Sequence, residues 1–218
     1  MVSRIPFVVG IAGGSGSGKT SLARAVAAAL GSDRVAMLAH DAYYRDRGHL
    51  PPAARAALSF DVPDAFDHTL FVAHLQALRT GRPVTPPRYC FVTHRRLRPG
   101  EPVAPRPVVL VEGILLLHDP GVRRALDFAI FLDAPESVRL ARRIARDTAE
   151  RGRTAESVRA QFAATVRAAH IEYVEPSRAW ADLVLASVGP LRPIAEIAAA
   201  VILDRWARRA DGAVAAEA

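Results

Sequence analysis

The sequence predicts an α/β fold, a five-stranded parallel sheet flanked by helices on both faces. Three observations predict it. Short, nearly continuous apolar runs alternate with stretches of helical period, the pattern of strands covered on both faces by crossover helices. A glycine-rich turn joins the first run to the first helix. Four of the runs end in that turn or at a carboxylate, at the strand ends where open parallel sheets bind ligands.

The elements follow in order. Ile5–Ile11 reads as a buried parallel strand ending at Gly13-Gly14. Thr20–Leu30 reads as a helix with Leu22, Val26 and Leu30 on one stripe and Gly31 as its stop. Val35–Ala39 is a second strand, ending at His40-Asp41. Asp67 caps a helix that runs through Arg79, with Gly81 just past its end. The segment 82–106 is rich in Pro, Arg and β-formers without helical period, and reads as a small hairpin lobe. Pro107–Val111 is a third strand, ending at Glu112-Gly113, and Phe128–Leu132 a fourth, ending at Asp133. Pro135 sits where a helix begins, and that helix runs to about Glu150, with Gly152 breaking it. A further helix starts near Ala155, with Val158, Phe162, Thr165 and Ala169 on one stripe. Leu183–Ala186 is the fifth strand and Pro193–Ala207 an amphipathic closing helix. Residues 1–209 thus form one domain, and Ala210–Ala218 reads as a loose tail.

Composition narrows the function. With 218 residues and 50% apolar content the chain can bury a large core. The single cysteine, Cys90, cannot form an intramolecular disulfide, so a reducing cytoplasm is expected. Met1-Val2-Ser3-Arg4 leads straight into an apolar strand without a long apolar segment, so no secretory signal is expected. The longest apolar stretch, Val108 to Leu117, is interrupted by Glu112 and is too short to span a bilayer. The net charge of +7 suits anionic ligands. Yet Lys19 is the only lysine, so 28 of the 29 basic residues are Arg, and Asn is absent altogether.

That lone lysine lies in Gly13-Gly14-Ser15-Gly16-Ser17-Gly18-Lys19-Thr20, which matches the G-x-x-x-x-G-K-[ST] phosphate loop. The glycines let backbone N–H groups turn toward phosphate oxygens, and the following helix adds its dipole. Lys19 reaches the β- and γ-phosphates, and the Thr20 hydroxyl ligates Mg²⁺. The loop implies a nucleotide. Without Asn there is no N-K-x-D base-reading motif, which excludes the usual GTPase, and there is no L-S-G-G-Q-like transporter signature. A small-molecule kinase with ATP or GTP as donor fits best.

Phosphoryl transfer asks for a metal, an oriented nucleophile and positive charge around the moving group. Asp41 either takes the proton of, or orients, the acceptor hydroxyl, or is a helix-capping or turn Asp. Glu112 either holds Mg²⁺ or pairs with an arginine at a strand end. Arg143, Arg146, Arg151 and Arg153 flank a helix end and a glycine. They form either an arginine lid, at about 146–153, or a solvated helix laced by the Arg146–Glu150 and Asp147–Arg151 spacings.

From about Ile5 to Asp204 the chain resembles the uridine kinases of the phosphoribulokinase/uridine kinase family. The matching segments are the Gly13–Thr20 loop, Asp41-Ala42-Tyr43-Tyr44-Arg45, Phe60-Asp61-Val62-Pro63-Asp64-Ala65-Phe66-Asp67, Tyr89-Cys90-Phe91-Val92-Thr93-His94, Val111-Glu112-Gly113-Ile114-Leu115, and the run from Arg142 to Arg153. The P-D-A-F-D and R-R-x-x-R-D-x-x-E-R-G-R segments are the most specific. The resemblance implies that Asp41 is the catalytic carboxylate near the ribose 5′-hydroxyl and that Asp61 binds the ribose hydroxyls. It implies that Tyr89 and His94 read the pyrimidine edge, with Tyr44, Phe60 and Phe91 as aromatic walls. It places Arg143 and Arg153 near the nucleoside and Arg146 and Arg151 around the phosphates. It also implies a homo-oligomer, often a tetramer, with inhibition by pyrimidine triphosphates.

Departures from the family pattern fall at Cys90, Ser59, Val62 and Phe162, all expected near the acceptor pocket. Rival acceptors are phosphoribulose, pantothenate or an unusual nucleoside. The basic surface alone also fits a nucleic-acid-binding protein, but no RNA- or DNA-binding motif is present, so neither nucleic acid nor a membrane is expected as a partner.

Overall fold

In a computed structural model, which describes residues 5–51, 54–55, 58–97 and 99–216, the strands and helices alternate as expected. β1 (Phe7–Ala12) leads through the glycine-rich loop into α1 (Lys19–Leu30), and β2 (Val35–Ala39) follows. A short 3-10 turn, His40–Tyr43, comes next. α2 (His68–Arg79) starts where the Asp67 carboxylate accepts the Leu70 N–H at 3.1 Å, as the sequence predicts. β3 (Arg88–Cys90) and β4 (Arg95–Leu97) pair antiparallel to form the small lobe. Then come β5 (Val108–Gly113), α3 (Pro120–Ala125), β6 (Phe128–Asp133) and α4 (Glu136–Glu150). α5 (Ala155–Gln161) continues into two π-helical turns, Phe162–Val166 and His170–Val174. β7 (Leu183–Ala186) and α6 (Leu191–Ala216) close the fold.

The large sheet has the order β2-β5-β1-β6-β7, and every pair is parallel. Its strands sort their side chains by the period-2 pleat. Val8 and Ala12 of β1, with Val109 and Val111 of β5, join a core with Tyr43, Phe66, Phe71 and Leu75. Val9 and Ile11, with Val108 and Leu110, join the opposite core with Leu22, Val26, Leu30 and Ile202. Each fully buried side chain of this kind contributes about 1.5–3 kcal/mol. With both faces covered, a ligand is left the ends of the strands, and open parallel sheets bind theirs at the carboxyl ends. The register aligns those ends: Ala12 pairs with Gly113 and Phe131, Ala39 with Glu112, and Asp133 with Ala186. The phosphate loop, Asp41, Glu112 and Asp133 therefore emerge along one edge.

The C-terminal end departs from expectation. The closing helix starts at Leu191 rather than Pro193 and continues to Ala216, where a loose tail was expected from Ala210. Residues 217 and 218 lie outside the described residues. Two causes extend the helix. The segment is rich in alanine, the strongest helix former, and Gly212 costs only about 1 kcal/mol against it. Arg209 also ties the helix to the sheet, donating to Pro6 O at 3.2 Å and to Asp127 Oδ2 at 2.7 Å. None of the helices among the described residues is long and apolar enough to cross a membrane.

His40 gives the fold a pH dependence. It is fully buried, stacked on Phe66 at 4.2 Å and 7°, and neither ring nitrogen finds a hydrogen-bond partner among the described residues. Burial, and then the neighbouring His68, hold its pKa well below 6.5. The native ring stays neutral where the unfolded ring gains a proton, so this contribution to stability is lost as pH falls below about 6.5. His40→Phe keeps the stack and removes the proton. Between about pH 6.5 and 5 the variant should lose stability less steeply than wild type, by up to about 1.4 kcal/mol per pH unit. Denaturant unfolding at each pH measures the slopes. Equal slopes would mean that His40 protonates in the native state.

Candidate active site

The phosphate loop is shaped by positions that only glycine tolerates well. Gly13 has φ +141°, and a Cβ there would lie 2.3 Å from the Leu132 carbonyl oxygen. Gly16 has φ +82°, and a Cβ there would lie 2.3 Å from the carbonyl oxygen of Arg139 in α4. The loop thus rests directly on α4 backbone. Lys19 is 7% exposed, and its Nζ donates to Gly14 O at 2.9 Å across the loop. Burial lowers its pKa, while Glu112 and Asp41 oppose the shift.

Thr20 Oγ1 donates to Glu112 Oε1 at 3.0 Å, so the two residues expected at the metal meet. Burial raises the Glu112 pKa, and nearby Asp41 pushes in the same direction. Among the described residues Glu112 forms no ion pair with arginine, which removes the strand-end pairing. The donors are oxygens and the site is anionic, which fits a hard divalent cation. Asp41 lies in the 3-10 turn at the end of β2, and its Oδ1 is buried without a hydrogen-bond partner among the described residues. It caps no helix.

Two cavities meet at Asp41. The first, of about 190 Å³, is lined by every residue that the resemblance assigns to the acceptor. Tyr44, Phe60, Tyr89 and Phe91 form its aromatic wall, His94 and Asp61 its polar edge, and Arg143 and Arg153 its basic edge. The His94 ring stacks on Phe60 at 4.2 Å, and its Nδ1 lies 3.5 Å from the Tyr89 hydroxyl. His94 holds φ +53°, an uncommon backbone angle for a residue other than glycine. Burial, with Arg55, Arg153 and Arg151, lowers its pKa, and burial raises that of Tyr89 to about 12. At neutral pH both rings thus present uncharged hydrogen-bonding groups. Burial raises the Asp61 pKa against the opposing charge of Arg143, 3.6 Å away.

The second cavity, of about 530 Å³, is lined by Gly16, Gly18, Lys19, Thr20 and Glu112. Asp41, Phe91, Arg146 and Arg151 line both. The four arginines do not form a solvated helix face. The expected Arg146–Glu150 pair is absent among the described residues, and Arg146 turns to Asp147 at 2.8 Å instead. Asp147–Arg151 is present at 3.5 Å, and Arg151 lies 3.9 Å above the Phe91 ring.

Several residues were not assigned from sequence. Gln161 Oε1 accepts from Arg143 at 3.1 Å and also from Arg153, and its side chain lines the acceptor cavity. Arg96 of β4 donates to the carbonyl oxygens of Tyr44 at 2.7 Å and Tyr43 at 3.1 Å, and to Asp67 at 3.1 Å. It latches the small lobe to the turn that carries Asp41. Asp147 lay inside a quoted motif, four residues from both Arg143 and Arg151, and that helical spacing was its signal.

The departures from the family pattern adjoin, in sequence, residues that line the acceptor cavity. None of the four lines the acceptor cavity. Ser59 and Val62 line a separate cavity with Arg45 and Arg47, which shares Phe60 with the acceptor cavity. Phe162 is buried, with Arg139 6.0 Å over its ring, and the half-buried Cys90 thiol bonds with Thr93.

Known proteins are similar to this chain. A profile of the phosphoribulokinase/uridine kinase family matches residues 8–192. A uridine kinase of Chloroflexus aurantiacus is 47% identical over 194 residues, covering 89% of this chain and 92% of its own. A uridine kinase of Shewanella piezotolerans is 41% identical over 201 residues, covering 90% and 95%. Among solved structures, a phosphoribulokinase from Rhodobacter spheroides superposes with a TM-score of 0.62 at 14% identity, covering 87% of this chain and 75% of that one. A D-glycerate 3-kinase from Cryptococcus neoformans does so with 0.57 at 17%, covering 85% and 89%. At those identities the likeness is one of fold.

Proposed function

The chain belongs to the phosphoribulokinase/uridine kinase family, and from that premise we propose that it transfers the γ-phosphoryl group of ATP or GTP to the 5′-hydroxyl of uridine or cytidine, giving UMP or CMP. The observation that carries the reading is the junction of the two cavities. An aromatic, carboxylate-edged pocket opens onto the phosphate loop at Asp41, Arg146 and Arg151. The relatives named uridine kinase, 40–48% identical over about nine-tenths of the chain, support it.

In this reading the base lies among Tyr44, Phe60, Tyr89 and Phe91. Its polar edge meets the Tyr89 hydroxyl and the neutral His94 ring. Asp61 accepts hydrogen bonds from two ribose hydroxyls, and Arg143 holds Asp61 in place. The 5′-hydroxyl then points to Asp41. Its oxygen forms the new bond to the γ-phosphorus, the bond from that phosphorus to the β-bridging oxygen breaks, and Asp41 takes the proton. The nucleoside diphosphate leaves. Lys19 exchanges its contact with Gly14 O for phosphate oxygens, and Arg146 and Arg151 face the charge spread over the moving group. Thr20 and Glu112 would hold Mg²⁺. When bound, Mg²⁺ neutralises phosphate charge. The segment 146–153 acts as a lid that excludes water and limits hydrolysis.

A phosphorylation assay with ATP, Mg²⁺ and a nucleoside panel, reading the monophosphate directly, tests the proposal. UMP or CMP should form. Triphosphate binding without a pyrimidine monophosphate product would overturn it.

A further inference from the structure

Four arginines converge on one buried carboxylate, and its two oxygens divide them. Asp147 is 0% exposed. Its Oδ1 accepts from Arg146 Nε at 2.8 Å, with Nη2 also at 2.8 Å, and Arg151 Nε lies at 3.5 Å. Its Oδ2 faces Arg143 Nε at 3.6 Å and Arg153 Nη1 at 3.8 Å, too far for hydrogen bonds. The division follows the cavities. Arg146 and Arg151 reach the phosphate cavity, whereas Arg143 and Arg153 line the acceptor cavity alone. The main chain repeats the pattern: the Asp147 carbonyl accepts the N–H groups of Arg151 and Arg153, each at 3.2 Å. The turn Arg151-Gly152-Arg153 is thus tied to Asp147 at both ends through the main chain, while the Arg153 guanidinium also donates to Gln161 and to the Ser157 carbonyl.

We infer that Asp147 is a positioning residue that couples the two substrate sites, so that the nucleoside and the nucleoside triphosphate each strengthen the binding of the other. The inference rests on the functional reading above. A nucleoside that engages Arg143 and Arg153 fixes the turn. Because Arg151 hangs from the same anchor, it is then already placed over Phe91, facing the phosphates. The second ligand orders less of the protein than the first, which is positive coupling without any large movement. Linkage makes the effect reciprocal. Charge acts in the same direction, since Asp147 holds together four guanidinium groups that otherwise repel one another.

Calorimetric titration tests this. Uridine is titrated into the full chain alone, and again with saturating Mg²⁺ and a non-hydrolysable ATP analogue. Wild type should bind uridine at least about fivefold more tightly with the analogue present. In Asp147→Asn that ratio should fall to about one, with each ligand still binding alone. A second variant covers poor folding of the first. Two glycines inserted after Gly152, an exposed position with nothing within 4 Å of a Cβ, keep Asp147 but separate Arg153 from Arg151. They should flatten the ratio as well. A merely structural carboxylate would lower both affinities and Tm together while leaving the ratio intact, and that result overturns the inference. So does a wild type that phosphorylates pyrimidine nucleosides yet shows no ratio. A wild type that binds no pyrimidine nucleoside instead overturns the functional reading, and this inference with it.

Discussion

Asp41→Asn should lower kcat by about 10²–10⁴-fold while triphosphate affinity stays near the wild-type value. The substitution preserves shape and removes the ability to take a proton. The position bears the consequence because Asp41 is the carboxylate that lines both cavities, and its Oδ1 is buried with no hydrogen-bond partner among the described residues. No helix depends on it as a cap, so Tm should barely move. In the proposed reading nucleotide binding runs through the loop, Lys19 and the helix start, none of which Asn at position 41 disturbs. Single-turnover kinetics with uridine, beside calorimetry with an ATP analogue, separates the two effects. Unchanged turnover would remove Asp41 from the proton transfer.

Gly16→Ala should cost about 2–6 kcal/mol of stability, combining backbone strain with a steric clash. The strain comes from φ +82°. The clash is with the Arg139 carbonyl oxygen, at 2.3 Å, where the two next nearest atoms are also α4 backbone. No side chain can rotate away, so relief requires α4 to shift. That helix carries Arg143, Arg146 and Asp147, and both triphosphate and nucleoside affinity should fall with stability. For a chain of this size, about 1 kcal/mol corresponds to a Tm shift of about 2–4 °C, so a loss of roughly 5–20 °C is expected. Gly152→Ala is the control. It shares a positive φ, +63°, but a Cβ there meets nothing within 4 Å. It should cost only about 1 kcal/mol, and equal losses in the two variants would remove the steric argument.

Much of this molecule was legible in the sequence, and the reason is physical. A strand buried on both faces must be apolar nearly throughout, so β1, β5 and β6 announce themselves, and the phosphate loop is a local shape set by glycines and one lysine. The surroundings of Asp41 and Glu112 are tertiary, which spacing cannot show: a buried carboxylate oxygen without a hydrogen-bond partner among the described residues in one case and the Thr20 hydroxyl in the other. The roles suggested for the aromatic residues and arginines came from resemblance, and the structure gathers those side chains around one cavity. Arg96 and Gln161 carried no periodic or motif signal, because each acts through partners far away in the chain or across a turn. The extension of α6 depends on Arg209 meeting Asp127, 82 residues away. The four departures adjoin cavity-lining residues in sequence, but they sit in different local structures, the β3 strand at Cys90 and a helical turn at Phe162 among them, and only the fold reveals which side faces the cavity.

The latch made by Arg96 has an evolutionary consequence. The phosphate-loop cavity is built from strand ends and a helix start, and a Cβ at Gly13 or Gly16 would meet main-chain atoms there. Tyr89, Phe91 and His94 reach the acceptor cavity from a two-stranded hairpin, which packs aromatic rings on the core and which the Arg96 guanidinium fastens to two main-chain carbonyls and one carboxylate. Main-chain carbonyls are present whatever the side chains, so mutations in the hairpin can accumulate without losing those anchors. If the functional reading holds, a lineage of such proteins can exchange one small hydroxylated metabolite for another by redrafting the hairpin, while the phosphate loop is inherited intact.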